Sequence, residues 1–344
     1  MKILCILNPA AGGGKAADRA AAAIHRNFKH AGVDYDIVYT QHAGDGRALS
    51  QQAEKETYTH VMAIGGDGTI NEIATGLIGT DVVLGILPLG SGNGLARALQ
   101  IPFEYQNACQ LLLHGTSKTI DVGRVNDLHF LATSGIGFDA HVGKRYNEHI
   151  GHSRGILPYF QIAAVEYFHY QPQKITLEYQ GKSFTCSPFV LTVANVEQYG
   201  AGAIIAPEAV PDDGLFDVVI VPQTPLLRTV YHLPRLFNGT IDTLPDVLMH
   251  KTAALTITRS ESGPLHVDGE TFNAGKVLEY TLLPGALHVQ VPDQEVPRSK
   301  PAKPRNSFSG KNVELLEKLH RLKERGILTE EEFEEQKRKL LQRL

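Results

Sequence analysis

Residues 63–72, Ala-Ile-Gly-Gly-Asp-Gly-Thr-Ile-Asn-Glu, limit what this chain can become more than any other stretch. An apolar run over 61–64 reads as a buried strand. Glycines crowd the turn around Asp67, and Ile70, Ile73, Ala74 and Leu77 follow at helical spacing. Glycine tolerates positive φ and carries no Cβ, so backbone N–H groups in such a turn can lie bare against phosphate. The helix N-terminus behind them favours an anion. A carboxylate facing phosphate alone is repelled, so Asp67 implies a metal or a positive neighbour. The plainer reading is a tight turn with an exposed acid.

The first third of the chain repeats this pattern. Strands are expected at 2–7, 35–40, 60–64 and 82–88, with helices over 15–31 and 46–56, which describes a parallel sheet covered by helices. Between the first strand and helix lies Asn8-Pro9-Ala10-Ala11-Gly12-Gly13-Gly14-Lys15. This is neither a Walker loop nor the Rossmann fingerprint, and alone it reads equally well as an ordinary glycine turn. After the fourth strand, Ser91 and Asn93 offer side-chain donors while Gly90, Gly92 and Gly94 keep the wall thin. Three such turns at the carboxyl ends of one parallel sheet make a pocket suited to a polyphosphate.

Beyond about residue 121 the texture changes to short alternating strands, at 174–179, 189–194, 216–221, 254–259 and 278–283. Turn signals at Gln180-Gly181 and Pro284-Gly285 separate them, as in an antiparallel β-domain. Amphipathic helices are expected over 156–170 and 226–237, with apolar stripes that face a core by default or an acyl chain as the alternative. Residues 206–215 form a compact acidic turn, read on spacing as a polar hairpin or as a cradle for a hard cation. His266-Val267-Asp268-Gly269-Glu270 is a hairpin turn first, and alternatively a device that places Glu270 as a base at a cleft.

The composition is that of an ordinary soluble protein, with no apolar run near eighteen residues and a strand at the very start, so neither a membrane span nor a signal peptide is expected. Three scattered cysteines fit a reducing, cytoplasmic setting rather than a disulfide framework or a zinc site. The net charge of -4 hides a basic excess from Arg298 onward, and nothing suggests a nucleic-acid surface. Residues 297–311 read as a flexible basic linker whose Lys300, Lys303 and Arg305 are solvated or touch anionic lipid. Leu315, Leu316, Leu319 and Leu322, then a Thr329/Glu332 capping box, describe a helical hairpin over 312–344. Too small to stand alone, it docks on the body or pairs with a second copy, making a homodimer.

With these residues assembled, the chain resembles the diacylglycerol kinase catalytic family, which includes sphingosine and ceramide kinases. The resemblance runs over about 2–291 and rests on Asn8-Pro9…Gly12, residues 65–72, 88–93, 211–214 and 267–270, all in the family's order. The last helices resemble the short C-terminal module called SHOCT. The resemblance implies an α/β nucleotide-binding domain (1–122) and a β-sandwich-like domain (123–296), with ATP and a lipid headgroup meeting between them. It implies ATP contacts at Asn8, Pro9, Gly12, Thr40, Gly66, Asp67, Gly68, Thr69, Asn71, Glu72, Ser91 and Asn93. Asp67 then organises Mg²⁺ through water, Val210, Asp213 and Leu215 hold a structural Mg²⁺, and Glu270 is the general base. Gly94 stands where many bacterial members carry a metal-assisting Asp. Gly137-Phe138-Asp139-Ala140 resembles the segment with which sphingosine kinases hold a substrate amine, so Asp139 is either that group or a structural acid. The implied activity is a peripheral, inner-face lipid kinase acting on diacylglycerol, with a sphingoid base as the second acceptor. An NAD-kinase-like enzyme and a catalytically silent membrane scaffold are the rivals.

Overall fold

A computed structural model of the chain describes residues 1–149 and 156–293. The expected linker and helical hairpin lie outside these residues. The first half alternates β1 (Lys2–Leu7), α1 (Ala16–Ala31), β2 (Asp34–Tyr39), α2 (Asp45–Ala53), β3 (His60–Gly65), α3 (Asp67–Leu77) and β4 (Val83–Pro88). Two helices follow, α4 (Gly94–Ala98) and α5 (Tyr105–His114). The strands pair in parallel in the order β2-β1-β3-β4. Side chains alternate across β1: Ile3, Cys5 and Leu7 pack with α1 and α5, while Leu4 and Ile6 pack on the face of α2 and α3. Burial on both faces is why β1, β3 and β4 read as unbroken apolar runs, whereas β2, at the edge, is half-exposed and mixed.

The second half contains β5 (Thr116–Val125), β6 (Leu128–Phe130), β7 (Thr133–Gly137), α6 (Phe138–His149), α7 (Ile156–Glu166), β8 (Ile175–Tyr179), β9 (Lys182–Cys186) and β10 (Val190–Ala194). It continues with β11 (Gln198–Gly200), β12 (Ala203–Ile204), β13 (Phe216–Val221), α8 (Leu226–Phe237), β14 (Leu248–Thr252), β15 (Ala254–Arg259), β16 (Gly263–Val267), β17 (Glu270–Ala274) and β18 (Val277–Val291). A six-stranded antiparallel sheet, β14-β13-β10-β7-β16-β17, packs over β18-β15-β8-β9 of the larger sheet. Between them lie Phe130 stacked on Phe216, Tyr280, Leu191, Val193 and Ile257. The architecture is therefore the expected one, a parallel-sheet α/β half and a β-sandwich half.

Two features depart from the sequence reading. Pro284-Gly285 does not separate two strands. It forms a bulge inside β18, which runs antiparallel to β5 on both sides of the irregularity. That strand also pairs in parallel with β4 through Val289 and Leu84, so one ladder runs from the α/β half into the β-sandwich. The second departure is α8, which fully buries none of its residues: Leu236 packs on the cluster around Ile205 and Ile241, while Leu227, Val230 and Leu233 of the expected stripe stay exposed. The cysteines are free, with Cys5 and Cys109 buried, and no described helix is long and apolar enough to cross a membrane.

Candidate active site

The three glycine turns meet at the carboxyl end of the parallel sheet. A Cβ on Gly12, whose φ is +70°, would lie 2.7 Å from Ala16 Cβ and 3.2 Å from the Leu89 carbonyl, so the first loop rests against the third. Asn8 ties the first loop to the second, its Nδ2 donating to Thr69 Oγ1 at 2.9 Å while its Oδ1 accepts from the Ala10 N–H. A Cβ on Gly90 would approach Gly66 Cα to 2.8 Å, so the second and third loops touch through bare backbone. Pro9 and Ser91 are exposed, and Thr40 is buried beside the exit of β1 with its N–H on the Leu7 carbonyl.

Asp67 starts α3 and holds the third loop in place. Its Oδ2 accepts the Asn93 N–H at 2.7 Å and its Oδ1 the Gly94 N–H at 2.9 Å. Asn93 is buried and left-handed (φ 52°), and its Nδ2 donates to the Gly90 carbonyl. Burial pushes Asp67 up to about 6 against the pull of these amides, and the Asp268 charge adds to the rise. Two residues of the same stretch serve the scaffold. Glu72 accepts the N–H groups of Gly44 and Gly46 at the start of α2, and Asn71 Nδ2 donates to the His129 carbonyl and to Asp268 Oδ2, both at 2.8 Å.

That last bond joins α3 to the β16–β17 hairpin. Its turn is Asp268-Gly269, both left-handed (φ 46° and 85°), as a two-residue Asp-Gly hairpin requires. Asp268 also accepts the N–H groups of Leu131, Ala132 and Thr133, which pins the turn onto the chain entering β7. Glu270, the first residue of β17, is thereby carried across to the nucleotide half. A Cβ placed on Gly68 would overlap the Glu270 carboxylate. One side of Glu270 stays open to solvent. Its pKa is raised, by burial of the carboxylate first and then by the charges of Glu72, Asp268 and Asp67. None of these four carboxylates is ion-paired among the described residues.

The turn expected to hold a structural metal carries a cation of its own. Asp213 Oδ1 accepts the Leu215 N–H, and its Oδ2 lies 3.1 Å from Lys251 Nζ. The same ammonium reaches Asp217 Oδ2 at 2.7 Å and the Glu208 carbonyl at 3.1 Å. A divalent ion at Val210, Asp213 and Leu215 would have a like-charged neighbour, so the residues present do not fit it. Among the described residues no cluster of His, Cys, Asp and Glu is arranged to hold a metal ion. Asp121, passed over in the sequence, fastens this turn: its Oδ2 accepts Gly214 N–H at 2.8 Å and its Oδ1 Gly285 N–H at 2.7 Å. An acid inside the apolar run Ile120-Asp121-Val122 was the signal that could have found it.

Asp139 lies in the first turn of α6 and already has partners. Its Oδ1 accepts the Ala140 N–H and its Oδ2 the Tyr199 hydroxyl at 2.9 Å. His266 Nε2 is 3.0 Å from Oδ2 but is not aligned for a hydrogen bond.

Glycine loops that meet at the end of a parallel sheet, with a carboxylate of raised pKa brought beside them from a β-sandwich, have the parts of a phosphotransferase. Comparison with known proteins narrows the class. Residues 2–125 match the diacylglycerol kinase catalytic domain, 132–291 the YegS C-terminal NAD kinase beta sandwich-like domain, and 314–341 the short C-terminal domain. A Pseudomonas putida protein named "probable lipid kinase YegS-like" is 31% identical over 77% of this chain and 88% of its own length. A Mycobacterium tuberculosis diacylglycerol kinase is 30% identical over 85% of this chain and 95% of its own. The crystal structure of a Bacillus anthracis diacylglycerol kinase superposes with a TM-score of 0.68 at 25% identity, covering 84% of this chain and 96% of that one. The chain belongs to the diacylglycerol kinase family of lipid kinases.

Proposed function

We propose that this kinase transfers the γ-phosphoryl group of ATP to the hydroxyl of a membrane lipid, with diacylglycerol as the acceptor, while resting on the inner face of a membrane. The observation that carries the reading is the Glu270 carboxylate lying on Gly68 beside Asp67, delivered there from the opposite half of the molecule.

The three loops suit a nucleotide triphosphate because a cradle of touching glycines would be filled by any Cβ. Of the acids at the site, Asp67 would be the one to meet the Mg²⁺ that accompanies it, through water, since both its oxygens already accept the Asn93 and Gly94 N–H groups. Bound ATP supplies the phosphoryl group, and Mg²⁺ neutralises its charge. The chain's own residues do the rest. First-turn amides of α3 have no partner within the helix and donate to phosphate oxygens. Asn8 and Asp67 hold the first and third loops to that helix. Glu270 takes the acceptor hydroxyl's proton onto its carboxylate as the oxygen attacks phosphorus, and later releases that proton to water on its open side. Its like-charged neighbours make it a stronger base.

Asp139, which already accepts the Ala140 N–H and the Tyr199 hydroxyl, reads as a structural acid, and this favours diacylglycerol over a sphingoid base. The division into a nucleotide half (1–122), a β-rich half (123–296), a basic linker and a self-associating hairpin belongs to the same proposal. Purified protein offered labelled ATP with diacylglycerol, sphingosine or NAD tests it. Label is expected in phosphatidate, and label confined to NADP would end the lipid reading.

A further inference from the structure

The helix α8 is docked inside out. Apart from Leu236, which packs on the cluster around Ile205 and Ile241, the side that faces the body is polar, and there Thr229 Oγ1 meets the Tyr167 hydroxyl at 2.7 Å and Thr224 Oγ1 at 2.8 Å. On the same side Arg235 reaches Thr243, and one ring nitrogen of His232 is out of solvent. Its apolar stripe faces out: Leu227 is 86% exposed, Tyr231 77% and Val230 58%, with Leu233 and Phe237 beside them. An amphipathic helix normally does the reverse, and a contiguous exposed apolar face marks a surface that meets another apolar phase.

We infer that α8 is the surface by which this kinase seats itself on an anionic lipid bilayer, an inference that rests on the reading of the acceptor as a bilayer lipid. Three observations favour a bilayer over a second protein copy. The helix carries no carboxylate; of its two arginines Arg228 is paired with Asp246 and Arg235 is bonded to Thr243 on the body side. An inserted stripe on a helix without a carboxylate is spared repulsion from anionic headgroups. Its 12 residues fall short of the roughly 20–30 per side that a stable protein interface needs. Its position also leads to the site. α8 touches β12, and in the β11–β12 hairpin a Cβ on Gly200 would lie 3.0 Å from Gly92 Cα of the third loop.

The chain contains no tryptophan, so Tyr231→Trp places a single reporter on this face. With vesicles of equal parts phosphatidylcholine and phosphatidylglycerol, its emission is expected to shift to the blue and to be quenched by brominated acyl chains. Full-length protein carrying Leu227→Asp and Val230→Asp is expected to bind the vesicles at least about tenfold more weakly. Its turnover of a monomeric short-chain diacylglycerol should be unchanged. An emission insensitive to vesicles, or undiminished vesicle binding by the double variant, overturns the inference. So does a blue shift that follows protein concentration without lipid, which would assign the face to a second copy. If the parent fails to phosphorylate the short-chain acceptor while its vesicle binding still depends on Leu227 and Val230, the acceptor reading falls and the docking surface stands.

Discussion

Replacing Gly68 by alanine separates the position of Glu270 from the stability of the fold. Gly68 sits in the first turn of α3 with ordinary helical backbone, so alanine is allowed there and favours the helix by up to about 1 kcal/mol. The new methyl would overlap the Glu270 carboxylate and lie 2.8 Å from its Cδ. A flexible side chain yields more easily than a helix, so Glu270 must retreat by at least about 1 Å, and misplacement on that scale costs on the order of 10²-fold in rate. The expected result is a kcat lowered about 10²-fold, equivalent to about 2.7 kcal/mol of transition-state stabilisation. The melting temperature should be equal or raised and KM for ATP little changed. Initial rates with labelled ATP and diacylglycerol in mixed micelles, beside thermal melts, read both quantities. In a Glu270→Gln background, itself about 10²–10⁴-fold slower, the alanine should add less than about threefold, because its effect runs through a carboxylate no longer acting as base. A kcat within about threefold of the parent would refute the reasoning.

Four further outcomes follow from the site and its surroundings. Glu270 must be deprotonated to act and its pKa is raised, so kcat/KM should fall on the acid side at a pH above the ordinary glutamate range; Glu72→Gln, removing the largest like-charge contribution, should move that limb to lower pH in a pH–rate profile. Asp67 holds its proton more tightly folded (about 6) than at its ordinary 3.8, so its contribution to stability is fully present below 3.8 and is lost as pH rises through about 6. Melts across that window should show a shallower decline in Asp67→Asn, together with loss of phosphotransfer. Lys251→Met should lower stability by about 2–3 kcal/mol, less than the full cost of breaking a buried pair because the lysine side chain is 34% exposed while that of Asp217 is 4% exposed. A chelator should leave the parent's melting temperature unchanged, and a drop on chelation would restore a structural metal to the Asp213 turn.

The parallel half was legible because burial on both faces leaves apolar runs, and because strand-to-helix turns against a ligand need glycine. The β16–β17 turn was equally readable, since Asp-Gly between short strands dictates a two-residue hairpin. What the sequence withheld depends on distance along the chain. Lys251 meets Asp213 across 38 residues, and Asn71 meets Asp268 across 197, and no local pattern announces either. The stripe on α8 announced an amphipathic helix without saying which side the body would take; that was decided by hydrogen bonds from Thr229 to Tyr167 and Thr224. Pro284-Gly285 carries the composition of a turn, but the ladder with β5 resumes beyond it, so long-range pairing outweighed local preference.

Because β18 pairs with β15 at one end and with β4 at the other, the polypeptide returns to finish its first half only after making nearly all of its second. A fragment ending near residue 125 would present β4 as a bare sheet margin, with the backbone groups that Val289 meets at Leu84 left for any other chain to pair with. Such a piece is expected to clump when expressed by itself. Recombining halves from different relatives should therefore succeed only when residues 277–291 travel with the parallel strands they complete.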